Sequence, residues 1–482
     1  MSDMSDTSTG ILQFLQFAIV ISEQNPLPNT GSLTMASISE KDYATIAARH
    51  GVDLADVNPL PKQERIAQLK AALSRTDVAF PISPERAAKY LAAYEAGEDF
   101  GIGSLGDNMV DLGKYANFQI YDDYTFEEHL SWACLVADQQ KTKHRFACRE
   151  YLEGERLFEI GGSVIPDFYL LNARIYQQTQ WQLATVNMLI PAELFFTCHS
   201  SRFFPVTTFM RQLEQDYLQE PDIGHDVAGH VATFTIPAVA QVMVVHGRAR
   251  DLIYAERDEK ISAAGADPAA IRQIQAWADE LLLYAGRIYW FTVEFGLVMQ
   301  DGEVRDFGAG ILSSPGETSY SINNPGSNRI LIDPSCDHDL LRLATTDYLI
   351  SEYQKTYFVM KSFCLLESLT PERIVDTAKK AMQLPHYTWR EIAPGDDTLN
   401  VGSDMTSPNE KYFRLMTHVP LDTCLTRAAI RNLRMYTRGF DLDLLKHFKA
   451  APPKIPSEVI AWFQKEDIGD RFRIETEEPE DA

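Results

Sequence analysis

Three observations predict a mainly α protein with minor β. Apolar residues recur at helical spacing along most of the chain, strand-like runs are few and short, and Gly and Pro cut the helical pattern into segments. Pro61–Ser74 (PKQERIAQLKAALS) and Ser83–Ala96 (SPERAAKYLAAYEA) are the first predicted helices. Gly101–Gly106 then interrupts the pattern and marks a boundary. Tyr124–Gln139, opening on YTFEEH, predicts a long amphipathic helix. In the next long helix Asp267 can cap and Pro268 suits the first turn. Ile271, Ile274, Ala278, Leu281, Ala285, Ile288, Thr292 and Phe295 carry its apolar face to near Gly296. Val304–Phe307 and Asn328–Ile332 are the strand candidates. Residues 406–450 read as further helices, with Pro452, Pro453 and Pro456 breaking the pattern and an acidic end at Glu475–Asp481.

A chain of 482 residues allows about two or three domains and a sizeable core. The expected division is an N-terminal extension at 1–117, a dense body at 118–405 and a C-terminal helical extension at 406–482. The first 34 residues are expected to lie outside the folded part, the globular pattern opening at Met35 with MASISEKDY. The net charge of -24 argues against generic attraction to nucleic acid or anionic membranes. Cys134, Cys148, Cys198, Cys336, Cys364 and Cys424 form no CxxC pair and no disulfide framework, which suits a reducing cytosol. The apolar run Ile11–Ile21 is too short to span a bilayer. It has no positive charge before it and no A-x-A site after it, so it is not read as a secretory signal. The expected location is the cytoplasm.

Two segments carry chemistry. In Glu220–His230 (EPDIGHDVAGH) two histidines lie five apart. Five residues on a regular helix turn about 500°, which leaves the two rings about 140° apart. Chelation therefore requires His225 at or before a helix start, and Pro221 and Asp222 place one there. This is not the HExxH spacing of zinc proteases. In Ile288–Leu297 (IYWFTVEFGL) Glu294 is the only charge between Arg287 and Asp301. A carboxylate among aromatic residues is costly unless paired or bound to a metal. Two polar core histidines and a Glu294–Arg287 ion pair are the bland alternatives. Together, two imidazoles and one carboxylate make the facial set of non-haem iron(II), with catalytic zinc as the competitor.

These stretches resemble, in order, segments of the aromatic amino acid hydroxylases in their bacterial phenylalanine hydroxylase form. The resemblance is carried by IPDFYLLNARIYQQTQWQLATVNMLIP, RFFPVTTFMR, QEPDIGHDVAGHV, IYWFTVEFGL, DFGAGILSS and EYQKTYFVMKSF, over roughly residues 118–400. It implies an aromatic amino acid hydroxylase-like catalytic domain, flanked by the two extensions. It further implies ferrous iron held by His225, His230 and Glu294, a tetrahydropterin co-substrate and O2. Arg211 would bind the substrate carboxylate, with Asp222 orienting it. Trp290 and Phe295 would wall the aromatic pocket, and Gly310, Ser313 and Ser314 would form the substrate loop. Phe195 would stack on the pterin, with Met188, Leu189 and Asp226 beside it.

The chain departs from the family pattern at three places. Met188 stands where the family usually has Gly, Ala232 where it has Pro, and the link from His230 to Glu294 is longer. Trp290 and the compact bacterial motifs favour L-phenylalanine, converted to L-tyrosine. Tryptophan or tyrosine hydroxylation are the alternatives inside the family, and a zinc hydrolase or a non-catalytic binding protein those outside it. A separate pterin-recycling dehydratase is the functional partner that the family implies.

Overall fold

The computed structural model describes residues 40–97, 105–187, 189–213, 221–348, 353–388 and 390–403. Residues 1–34, Met188 and the expected C-terminal helices at 406–450 lie outside them. The described residues from Ala44 onward belong to one compact unit.

Local sequence signals set the helix ends. The N-terminal part forms α1 (Glu40–His50), α2 (Lys62–Leu73) and α3 (Pro84–Ala96). Ser83 caps α3 by accepting the Arg86 amide, and Gly97 closes it in the left-handed region at φ 71°. Next come α4 (Phe126–Phe146), α5 (Arg149–Phe158) and α6 (Phe168–Thr179). Thr125 and Glu128 form a reciprocal capping box at the start of α4. Helices α2 and α3 are tied to the body. Arg65 meets the buried Asp167 at 3.1 Å, Tyr90 donates to the Tyr169 carbonyl at 3.1 Å, and Gln177 donates to the Ala72 carbonyl at 2.8 Å.

Strand β1 (Gln182–Thr185) pairs in parallel with β2 (Phe203–Val206), with α7 (Ala192–Ser200) between them. Two long helices follow, α8 (Pro237–Ala264) and α9 (Pro268–Tyr289), packed on each other and capped as expected at Asp267. A five-stranded sheet completes the body: β3 (Gly296–Gln300), β4 (Glu303–Asp306), β5 (Asn328–Ile332), β6 (Thr356–Met360) and β7 (Asp397–Asn400). Its order is β4-β3-β6-β5-β7, parallel around β6 and antiparallel at both edges. The β3–β4 hairpin turns on Asp301 (φ 54°) and Gly302 (φ 82°), the pair of positive φ values that a two-residue hairpin loop demands. Helix α10 (Pro315–Asn323) packs against α4 and β4, while α11 (Asp337–Ala344) and α12 (Pro371–Ala381) pack on α9 and on each other. The fold is mainly α with minor β. Among the described residues no single helix is long and apolar enough to cross a membrane.

Candidate metal centre

The centre begins at Asp222, whose extended backbone precedes a single helical turn, Ile223–His225. Its carboxylate caps that turn, accepting the His225 amide at 3.0 Å. It also grips Arg211, from the backbone amide at 2.8 Å, Nε at 2.8 Å and Nη2 at 2.7 Å. Both side chains are buried. Burial pushes the Asp222 carboxyl up, but the Arg211 charge and its hydrogen bonds outweigh that and hold it below the ordinary value.

The next five residues, Asp226–His230, form a π-helical turn. This is how histidines five apart meet. A regular helix would splay the rings, whereas a turn that closes five residues on brings the second ring beside the first. His225 Nε2 and His230 Nε2 lie 3.3 Å apart. Gly229 permits the turn, since a Cβ there would lie 2.7 Å from the Ala309 carbonyl oxygen.

The third residue arrives by the same device. Helix α9 ends in a second π-helical turn, Trp290–Glu294, and the Phe295 amide donates to the Trp290 carbonyl at 2.8 Å. Glu294 Oε1 lies 3.0 Å from His230 Nε2, and Oε2 lies 3.8 Å from His225 Nε2. One donor atom from each of the three residues falls within 4.8 Å of the other two. Arg287 is engaged elsewhere, with Asp347 and the Ala344 carbonyl, so it is not the counter-ion of Glu294. Glu294 Oε2 is buried without a hydrogen-bond partner. Burial raises the Glu294 carboxyl, but His230 and then His225 outweigh it and hold the group below its ordinary value.

His225 is the exposed member of the set, its side chain 24% accessible against 1% for His230 and 2% for Glu294. The open side of the centre is therefore at His225. Burial pushes its imidazole down to about 4, so the ring is neutral at pH 7. Ser313 fixes the tautomer. Its hydroxyl donates to the Gly310 carbonyl at 2.8 Å and so accepts from His225 Nδ1 at 3.1 Å. That leaves the Nε2 lone pair facing His230 and Glu294.

The other expected site residues fall around this core. Trp290 stacks on Phe295 (6.1 Å, 24°) and on Tyr348 (4.9 Å, 26°). Gly310 backs the glutamate, since a Cβ there would sit 3.2 Å from Glu294 Oε2. Ser314 caps α10 by accepting the Glu317 amide at 3.2 Å. Phe195 meets the edge of Phe204 (6.1 Å), which itself lies 4.4 Å from His230. Leu189 is exposed, and Met188 is outside the described residues. Asp226 accepts from the Thr207 amide (2.7 Å) and hydroxyl (2.9 Å), and burial pushes its carboxyl well above the ordinary range.

Sequence reasoning missed Tyr348, Thr207, Gln139 and Lys143. Tyr348 carried no helical pattern that linked it to Trp290. Lys143 sits in the charged run QQKTKHR and reads as solvated, yet its side chain is fully buried.

A family model described as biopterin-dependent aromatic amino acid hydroxylase matches residues 115–251 and 274–386. The chain is 35% identical over 293 residues to a phenylalanine-4-hydroxylase of Chromobacterium violaceum, covering 61% of this chain and 89% of that one. Solved structures of phenylalanine hydroxylase from the same organism also superpose on it, each covering 66% of this chain and 100% of theirs. One is bound to cobalt (TM-score 0.52, 31% identity) and one holds iron(III) and 7,8-dihydrobiopterin (TM-score 0.50, 30% identity).

Proposed function

We infer the reaction from one premise: this chain belongs to the biopterin-dependent aromatic amino acid hydroxylases. It is an aromatic amino acid monooxygenase, and the substrate we propose is L-phenylalanine, hydroxylated to L-tyrosine. The observation that carries the reading is the convergence of His225, His230 and Glu294 on one point.

The residues fit a ferrous ion. Two imidazoles and a carboxylate leave one face free, and a cation offsets the cost of burying Glu294 with an unpartnered oxygen. Iron, with O2 and a tetrahydropterin, supplies the oxygen-activating chemistry. The chain supplies position and exclusion of water. Arg211, clamped flat by Asp222, presents a guanidinium to the substrate carboxylate. Trp290, Phe295 and Tyr348 form the aromatic wall beside Glu294. Ser313, on the loop after Gly310, joins the substrate side to the His225 ring. Phe195, Leu189, Met188 and Asp226 are assigned to the pterin side.

The catalytic body is assigned to 118–405, with 1–117 and 406–482 as extensions. The cytoplasm is the assigned location, and a pterin-recycling dehydratase the functional partner. The test is product analysis with iron-loaded protein and a reduced pterin, offering Phe, Tyr and Trp in parallel. Tyrosine from phenylalanine is expected. No change in any of the three amino acids would refute the assignment.

A further inference from the structure

One buried lysine reaches the metal centre from behind. Lys143, on α4, is fully buried, and its ammonium has three acceptors on three different segments. Glu155 Oε1 on α5 lies at 2.6 Å, the Ala228 carbonyl at 2.7 Å and Gln139 Oε1 at 3.1 Å. An ammonium has three protons to give, and all three are placed.

Two of these contacts lead to the metal ligands. Ala228 lies inside the π-helical turn between His225 and His230. Its carbonyl also accepts from the Tyr151 hydroxyl, so two side chains occupy both of its lone pairs. Both donors thus fix the backbone between the two histidines, just before the π-helical turn passes into the 3-10 turn Val231–Thr235. The second path runs through Gln139. Its Nε2 donates to the Ser313 carbonyl at 2.9 Å, and Ser313 Oγ accepts from His225 Nδ1. Buried polar contacts therefore run from Glu155 through Lys143 to the backbone between the two histidines, and through Gln139 to Ser313, the partner of His225.

We propose that Lys143, with Glu155 as its counter-ion, is a positioning residue for the metal centre, setting the turn that carries both histidines and the orientation of the His225 ring. This rests on the metal-site reading given above. A buried ion pair is a poor device for stability alone, because well-packed apolar residues of similar size commonly replace one at no loss to the fold. What apolar residues cannot do is donate to Ala228 and anchor Gln139.

The test uses the full chain with Co2+ and Fe2+ as probes. The metal dissociation constant is measured by competition with a chromophoric chelator, together with the visible absorption of the Co2+ form and the melting temperature of the metal-free protein. Lys143→Met/Glu155→Leu removes both charges at once. It is expected to melt near the wild type, to bind metal about 10–100-fold more weakly and to show an altered Co2+ spectrum. A folded double variant with wild-type affinity and spectrum overturns the proposal. Should the double variant fail to fold, Gln139→Leu decides. This uncharged change cuts the arm to Ser313, and wild-type affinity and spectrum in it would equally overturn the proposal. Failure of the wild-type protein to bind either ion would instead remove the metal-site reading itself.

Discussion

Glu294→Gln should cost little stability without metal and remove most of the stabilisation that metal confers. In the metal-free protein the Glu294 carboxylate is buried beside two imidazoles, and one of its oxygens has no partner. An amide of the same shape keeps a hydrogen bond to His230 and removes a buried charge. Because the imidazoles hold that carboxyl below its ordinary value, the metal-free variant should melt at or somewhat below the wild-type temperature. With metal the gap widens. Opposite unit charges about 4 Å apart gain about 4 kcal/mol at the effective dielectric of a protein site. A loss of about 4 kcal/mol weakens binding roughly 1,000-fold. At a metal concentration about 1,000 times the wild-type dissociation constant, the wild type gains about 4 kcal/mol of stability, whereas the variant gains only a few tenths. At roughly 1.5–2 °C per kcal/mol for a body of about 290 residues, the wild type should rise by about 6–8 °C and the variant by less than about 1 °C. Thermal unfolding during Fe2+ or Co2+ titration reads both numbers. An equal metal-induced rise in the two proteins would refute the assignment of Glu294 as a ligand.

Arg211→Lys should raise the KM for the amino acid about 10–100-fold, since it gives up a planar charge-assisted contact, and should scarcely affect the corresponding amino acid amide. Equal losses for acid and amide would show that Arg211 does not meet the carboxylate. Gly229→Ala should weaken metal binding and destabilise the fold by about 1–3 kcal/mol, because its new methyl meets the Ala309 backbone. Unchanged metal affinity would show that the π-helical turn tolerates the shift. His246 gives the pH dependence. Burial pushes its imidazole from 6.5 down to about 4, against its hydrogen bond to the Val242 carbonyl. The unfolded chain then takes up this proton first, so the stability is full above pH 6.5 and is lost as pH falls towards 4. Over that interval the loss is about 3 kcal/mol, and His246→Leu should not suffer it. Urea midpoints at pH 7 and pH 4 for both proteins check this, and identical pH dependence would contradict it.

The helices were legible because their end signals are local. Asp267-Pro268, Ser83-Pro84 and Thr125 with Glu128 each cap the helix that the apolar spacing predicts. The metal ligands were legible only in part. An H-x4-H pair read on a regular helix points its rings apart, and nothing local announces that Asp226–His230 winds as a π turn. What packs against that turn comes from far away in sequence: Lys143 and Tyr151 donate to the Ala228 carbonyl, and Ala309 backs Gly229. Glu294 was legible as an expensive charge, but the Arg287 alternative could be dismissed only once Asp347 was seen to hold that guanidinium. Ser313 is a similar case: its bond to His225 spans 88 residues and has no sequence signature.

The long link between His230 and Glu294 has a physical resolution. The family match breaks off at residue 251 and resumes at 274. The unmatched residues form the end of α8 and the start of α9, while the ligands flank the opposite ends, His230 before Pro237 and Glu294 after Tyr289. At 1.5 Å per residue, about 15 residues of α8 put the added length about 22 Å along the helix from the end that follows His230. Extending two packed helices at their shared far end lengthens the sequence between ligands without altering the register near them. The spacing that distinguishes this chain from its relatives thus falls where the metal centre does not feel it. What bears on the chemistry is packed directly against the histidine turn, where the buried Lys143 ammonium meets the Ala228 carbonyl.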